Sequence, residues 1–389
     1  MQFLILLFVS VVFGQKLSFG AIRERILKGY DASTRPSVGG PPVQISSQFR
    51  INHLSNINPM KDSFELDLFL RLKWTDPRLA YPEVLGKDLF RIDPKLLWTP
   101  DIYFYNEQEK MTVLDATCKI NNDGGVFYSA HFIMSFQTHF DLHEFPFDSQ
   151  TLPVRLVSYS HSEDEMILKW YDAADGGPTF PALSETFSAV LWDLQSVESS
   201  TTDIVFKENT TAYAFNTLEI TVKRDWTTYV LKYVAPLFFI CLCSSLSYWV
   251  DPKVVPARVG FGVSLLLSSV TLNFVVSAEL PKINYPTLLD TYIAVVFSFV
   301  FLSLLEFAIV HHLHLINRPK LATHIEYVSR TLPILMILIT ISIFTVVRRT
   351  IGSYIVWGLI CLYALVILGY SLVIGFRIGK EERLLVDKV

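Results

Sequence analysis

Gly260, Ser264, Leu267, Thr271, Phe274 and Ala278 follow one another at steps of 4, 3, 4, 3 and 4 residues, with Ala257 three residues earlier. At 3.6 residues per turn these positions share one helix face. The segment carries no charge from Val259 to Ala278, so it is apolar enough to cross a bilayer. A seam of small and hydroxyl side chains on such a helix suits a face that lines water. The competing use is close packing against neighbouring helices through small residues. Covalent chemistry finds no support: the sequence holds no Gly-rich phosphate loop, no Ser or Cys nucleophile motif and no metal-ligand cluster.

The flanks of the segment favour the water-lining reading. Pro256 stands where a helix starts and its missing N–H costs nothing. Arg258 lies at the same end, and Pro281-Lys282 closes the other. Pro256-Ala-Arg-Val-Gly-x-Gly262, a Leu-rich run and Leu280-Pro-Lys-x-x-Tyr285 together resemble the pore helix of pentameric ligand-gated ion channels, the Cys-loop receptor superfamily. The likeness is greatest to anion-selective members such as glycine and GABA-A receptors. It implies a pentamer of identical or related subunits, a central pore lined by the seam, and Leu267 as a hydrophobic constriction. Phe274 would narrow the pore again nearer the outside. Cation-selective members carry a Glu ring immediately before the Arg, where this chain has Ala257. Anion-selective members often carry a basic residue near the outer end, where this chain has Ser277 and then Glu279.

Composition divides the 389 residues into two halves. Residues 15–225 read as a globular domain with polar turns, and residues 229–378 are dominated by apolar runs. The net charge of −4 and the lack of a basic stripe argue against a nucleic-acid partner. Met1–Phe13 with Gly14 reads as a secretory signal peptide, 1–14, and Asn209-Thr-Thr as a glycosylation acceptor. Of the four cysteines only Cys118 precedes the apolar half, so no intrachain disulfide is expected there. Cys241, Cys243 and Cys361 read as packing residues, and no metal or other cofactor is expected.

The fold class expected is α+β: an immunoglobulin-like antiparallel β-sandwich over 15–225, then an all-α membrane bundle. Ala21–Asp31 has helical spacing and ends at Gly29. Ser63–Trp74 alternates apolar and polar almost without a break, the period of a half-buried strand. Similar runs recur at 126–137, 152–159, 187–198 and 213–222. Trp74-Thr-Asp-Pro-Arg78, Trp98-Thr-Pro-Asp101 and Phe145-Pro-Phe-Asp148 extend the resemblance to this half. The family's signature cysteines fall on Thr138 and Leu152, so the bridge is lost and the loop is expected to be held by packing alone. The resemblance implies a ligand site between subunits. It assigns Tyr105, Tyr159, Tyr213 and Phe206 to one face, and Phe69, Arg71, Phe127, Ser129 and His131 to the other. Aromatic faces attract an ammonium and Arg71 can fork onto a carboxylate, so the partner expected is a small amine or amino acid. Aromatic residues at alternate strand positions also serve as cross-strand pairs. Five histidines, at 53, 131, 139, 143 and 161, leave gating by protons as a lesser alternative.

In the membrane half, 226–316 is expected to hold three helices, with 256–279 as the pore helix. The first span is expected over Tyr229–Val250 and the third over Leu288–Leu315. His311, His312 and His314 read as interfacial residues. Residues 317–329 read as a short cytoplasmic linker, 330–350 as a fourth helix, 351–376 as a fifth span and 377–389 as a charged inner tail. A single long fourth helix is the alternative to that fifth span. The resemblance makes Pro146, Asp148, Arg224, Lys282 and Tyr285 the residues that carry ligand binding to the pore. A plasma-membrane channel passing chloride is the expectation. The same architecture passing cations past Glu279, and a non-conducting accessory subunit, remain open.

Overall fold

The computed structural model describes residues 19–81, 90–109, 113–171, 182–205, 212–334, 336–338 and 340. The expected signal peptide, Phe206, Asn209, most of 330–350, and the expected fifth span and tail lie outside the described residues. The chain divides into two compact units. One takes the residues up to Phe140 and Ser149–Lys223; the other takes Asp141–Asp148 and the residues from Arg224 onward.

The first described element of this unit is helix α1, Phe19–Leu27, and Gly29 follows it at φ 80°. Among the described residues, eleven strands build two sheets. The larger has the order β3 (Phe90–Ile92), β5 (Val113–Ile120), β6 (Gly125–Gln137), β2 (Ser63–Thr75), β1 (Val43–Asn58), β8 (Met166–Trp170), with β9 (Ala182–Ala189) also on β1. The smaller has the order β10 (Trp192–Val205), β11 (Ala212–Arg224), β7 (Ser149–Ser158), β4 (Ile102–Phe104). Alternation dictates the layers. Phe64, Leu66, Leu68, Leu70, Leu72 and Trp74 on β2 are buried, while the residues between them are half-exposed. Phe104 of the small sheet packs against Phe49, Phe132 and Phe136 of the large one at 5.9, 6.1 and 5.3 Å. Removing that ring is expected to destabilise the sandwich by about 3–5 kcal/mol. Phe104→Ala should therefore lower the midpoint of thermal unfolding of the purified protein; an unchanged midpoint would refute the packing argument.

Two details depart from expectation. The run 187–198 is not one strand: β9 ends at Ala189, residues 190–191 turn with Leu191 at φ 66°, and β10 starts at Trp192 in the other sheet. The turn uses exposed Val190 and Leu191 rather than glycine or proline, so nothing in its composition marked it. The sandwich also has parallel pairs, because β8 and β9 both run parallel to the outer edge of β1.

In the second unit three helices are long and apolar enough to cross a membrane, among the described residues: α2 (Thr227–Trp249), α3 (Val255–Glu279) and α4 (Leu288–Leu315). Pro236 is accommodated by a π turn over Val230–Val234 just before it, where the wider turn absorbs the lost N–H. Thr287 and Asp290 form a capping box at the start of α4. Gly262 of α3 admits Leu304 of α4 into contact with its backbone, since a Cβ there would overlap that side chain. The residues expected as a short linker carry a helix, α5 (Pro319–Ser329), started by proline and preceded by Asn317 at φ 56°.

Candidate ligand site and ion path

The sandwich carries two separate sets of candidate ligand residues. On the large sheet, Phe69 stands opposite His131, Arg71 opposite Ser129 and Lys73 opposite Phe127. All of them alternate with core residues, so Phe69, Arg71, Phe127, Ser129 and His131 share one half-exposed face. The Phe69 and His131 rings stack at 4.5 Å and 15°. Asp67, two residues before Phe69, holds His131 Nε2 at 2.8 Å and accepts from Asn52 at 2.8 Å. Arg71 donates to Gln48 Oε1 at 3.2 Å. Burial, and then the neighbouring Arg50, lower the affinity of its guanidinium for its proton.

The small sheet carries the other set. Phe104, Leu156 and Asn216 point into the core, so Tyr103, Tyr105, Tyr159, Tyr213 and Phe215 share the opposite side. Tyr105 meets Phe215 edge-on at 5.3 Å, and Tyr103 meets Tyr159 edge-on at 5.8 Å. Tyr159 is 77% exposed. Its loop is pinned by Asp101, which accepts from Ser158 Oγ at 2.9 Å and from Ser160 N at 2.8 Å, and also from Ser160 Oγ. The Trp98–Asp101 segment is held in turn by Tyr30, which follows α1. Tyr30 accepts from Trp98 N at 3.1 Å and donates to the buried Asp76 at 2.8 Å, and Arg78 forks onto Asp76 at 2.8 and 2.9 Å. Burial pushes the Tyr30 hydroxyl up to about 12. Tyr103 and Phe215 were missed in the sequence; Tyr103 has the same strand parity as Tyr105, which was the available signal. The two sets lie on different sheets, and no described contact joins them.

The loop Asp141–Asp148 belongs to the helical unit. Arg224 Nε and Nη2 fork onto Asp148 at 2.7 and 3.0 Å, with both side chains at 5% exposure or less. Arg224 also donates to Tyr229 Oη at 3.2 Å and lies over the Phe145 ring at 5.0 Å. Burial opposes its charge, but the Asp148 bonds and attraction outweigh that and hold the guanidinium above the ordinary arginine range. The Phe145–Pro146 peptide is cis. Tyr285 accepts from Leu142 N at 3.1 Å and stacks on His143 at 3.8 Å, and Leu288 N donates to His143 O at 2.9 Å. The loop is thus held by an ion pair and hydrogen bonds, not by packing alone as the missing bridge suggested. Lys282 is exposed and stands outside this cluster among the described contacts.

On α3 the seam and the packed face oppose each other. Ala257, Gly260, Ser264, Leu267, Thr271, Phe274 and Ala278 are all exposed, with Leu267 at 67% and Phe274 at 72%. Arg258, Gly262, Ser269 and Val276 are the buried ones. At about 100° per residue the two sets centre roughly 180° apart. Ser264, Ser268 and Thr271 donate to carbonyls four residues back at 2.8–2.9 Å, so no neighbouring helix is needed to satisfy them. At the outer end Glu279 accepts a hydrogen bond from Tyr233 of α2.

Comparison with known proteins gives two matches along the chain. Residues 20–226 match the neurotransmitter-gated ion-channel ligand binding domain, and residues 233–346 the transmembrane region of the same channels. The gamma-aminobutyric acid receptor subunit alpha-4 of Rattus norvegicus is 29% identical over 312 residues, covering 78% of this chain and 55% of its own. The rho-2 subunits of Homo sapiens and Bos taurus are each 29% identical over 298 residues, covering 75% of this chain and 63% of theirs. The chain therefore spans less than two thirds of the length of these relatives. The transmembrane match falls on α2–α4, which puts the chain in the plasma membrane with its N-terminal domain outside. The ligand-binding match alone covers more than half of the sequence, and the chain belongs to the neurotransmitter-gated ion-channel family.

Proposed function

We propose that this chain is the subunit of a pentameric channel that opens on binding a small amino acid and passes chloride. The observation that carries the proposal is the exposed seam of α3. Seven small, hydroxyl-bearing or apolar residues face away from the subunit's own packing, as residues lining a shared pore must. Five copies would bring five helix N-termini, each about +0.5 charge, to one mouth, with Ala257 in place of a carboxylate there. Glu279, the basis of the cation-selective alternative, lies about 100° round the helix from Gly260 and is engaged by Tyr233. Both features favour anions.

The ligand site would form between copies. One subunit would supply Tyr103, Tyr105, Tyr159 and Tyr213 as aromatic faces for an ammonium, with Phe206 on the same stretch of chain. Its neighbour would supply Phe69, Arg71, Phe127, Ser129 and His131, with Arg71 for a carboxylate. A ligand with an amine at one end and a carboxylate at the other fits that division, and gamma-aminobutyric acid is the member of this class named in the relatives. Pro146, Asp148, Arg224 and Tyr285 would then relay binding to α3 and α4, and Lys282 is included on the family resemblance alone. Asn209 stands as the glycosylation position.

The test is Leu267→Ser, which puts a hydroxyl into the central constriction and is expected to give current without ligand. The reversal potential should follow external chloride when a large organic anion replaces it. A reversal that ignores chloride and tracks sodium would refute the anion assignment. Surface pentamers without current would favour an accessory subunit.

A further inference from the structure

Arg258 lies at the inner end of the pore helix, yet it is 2% exposed and on the face turned away from the seam. Its Nη2 donates to Glu326 of α5 at 2.9 Å and to the carbonyl of Val250, and its guanidinium lies 5.5 Å from the Phe307 ring centre on α4. Glu326 is itself buried. Two further charges complete the cluster. Glu306 of α4 is buried within electrostatic reach of Arg258, Glu326 and Arg330, and Arg330 donates to Tyr248 O at 3.3 Å and covers the Trp249 ring at 4.6 Å. Nε and Nη1 of Arg258 make no hydrogen bond among the described residues, so Glu326 is its one carboxylate anchor at bonding distance.

We propose that Glu326 is a positioning residue for anion conduction, a role that rests on the channel assignment above. It holds Arg258 behind the pore wall and cancels its charge at the inner mouth. The inner mouth then owes its positive potential to the helix N-termini rather than to an arginine ring, which leaves it weak enough for chloride to leave. Neutralising Glu326 would uncover one positive charge per subunit about a helix diameter from the lumen. Neutralising Arg258 would uncover one negative charge instead. Five such charges, screened over roughly 8 Å, change the local chloride concentration by roughly two-fold.

The opposite signs are the test, because a merely structural pair would give two variants that fail alike. Full-length chains carrying Leu267→Ser would be expressed with Glu326→Gln, Glu326→Asp or Arg258→Gln, and current recorded at both polarities. With Glu326→Gln, chloride leaving the cell at negative potentials should rise about two-fold relative to chloride entering. With Arg258→Gln that ratio should fall, and with Glu326→Asp it should stay near the background. Ratios that move together, or not at all, would overturn the proposal. If Glu326→Gln fails to reach the surface, the exchanged pair Arg258→Glu with Glu326→Arg decides. It keeps the ion pair and its net charge, and should hold the ratio of chloride leaving to chloride entering near that of Leu267→Ser alone; a ratio shifted as it is in Arg258→Gln would overturn the proposal. Absence of current from Leu267→Ser alone, with pentamers at the surface, would overturn the channel assignment and this role with it.

Discussion

Arg224→Gln should abolish ligand-evoked current, by more than 100-fold in the agonist response per surface pentamer. The argument starts from burial. Arg224 and Asp148 are 5% and 2% exposed and joined by two bonds of 2.7 and 3.0 Å. Forming such a pair from water gains little net energy, because each ion loses its hydration. Breaking one costs about 3–5 kcal/mol, because the surviving charge stays buried without a partner. At 1.4 kcal/mol per factor of ten, that energy is more than enough to empty the conformation that holds the loop Asp141–Asp148 against the head of α2. Arg224→Lys should recover only part of the response. An ammonium cannot fork onto both carboxylate oxygens and also reach Tyr229. Asp148→Asn should match Arg224→Gln, and the double variant should be no worse than either single one. Additive losses in that cycle would show that the two residues act separately and would remove the pair from the gating path.

The parts of the molecule that could be read in the sequence are those where one period governs a whole element. Ser63–Trp74 alternates for twelve residues, and every even position from Phe64 to Trp74 is buried. The Gly260–Ala278 seam is legible for the same reason, since a pore helix must keep one face free over its full length. What escaped was governed by partners far along the chain. The turn at Val190–Leu191 is made by the chain's passage from one sheet to the other, and its apolar residues look like strand. Asp67 gives no sign in β2 that its carboxylate will take both His131 and Asn52. Arg258 belongs to the pore-helix motif by position, but its partner Glu326 is 68 residues away on a segment that read as a linker. Tyr103 shares a strand face with Tyr105, but the resemblance points to Tyr105 alone and only strand parity brings in Tyr103.

Arg71→Ala should weaken activation by gamma-aminobutyric acid by about 30-fold or more in half-maximal concentration. Removing one partner of a desolvated charge pair costs about 2–5 kcal/mol, and most of that is the carboxylate left unpaired. The face is prepared for such a ligand. Gln48 takes one guanidinium nitrogen at 3.2 Å and so fixes its plane, while Phe69 and His131 stack beside it. Tyr159→Ala should cost less, up to about 30-fold, because a single cation–π contact contributes about 0.5–2 kcal/mol. The two losses identify which end of the ligand each face holds. Arg71→Ala should have little effect on an agonist that keeps the amine but lacks the carboxylate, whereas Tyr159→Ala should weaken both ligands. If Arg71→Ala weakened both ligands equally, the guanidinium would be shaping the sheet rather than reading a carboxylate. If neither substitution moved the half-maximal concentration, the aromatic and basic faces would not be the two halves of one site, and the ligand would have to be sought elsewhere on the sandwich.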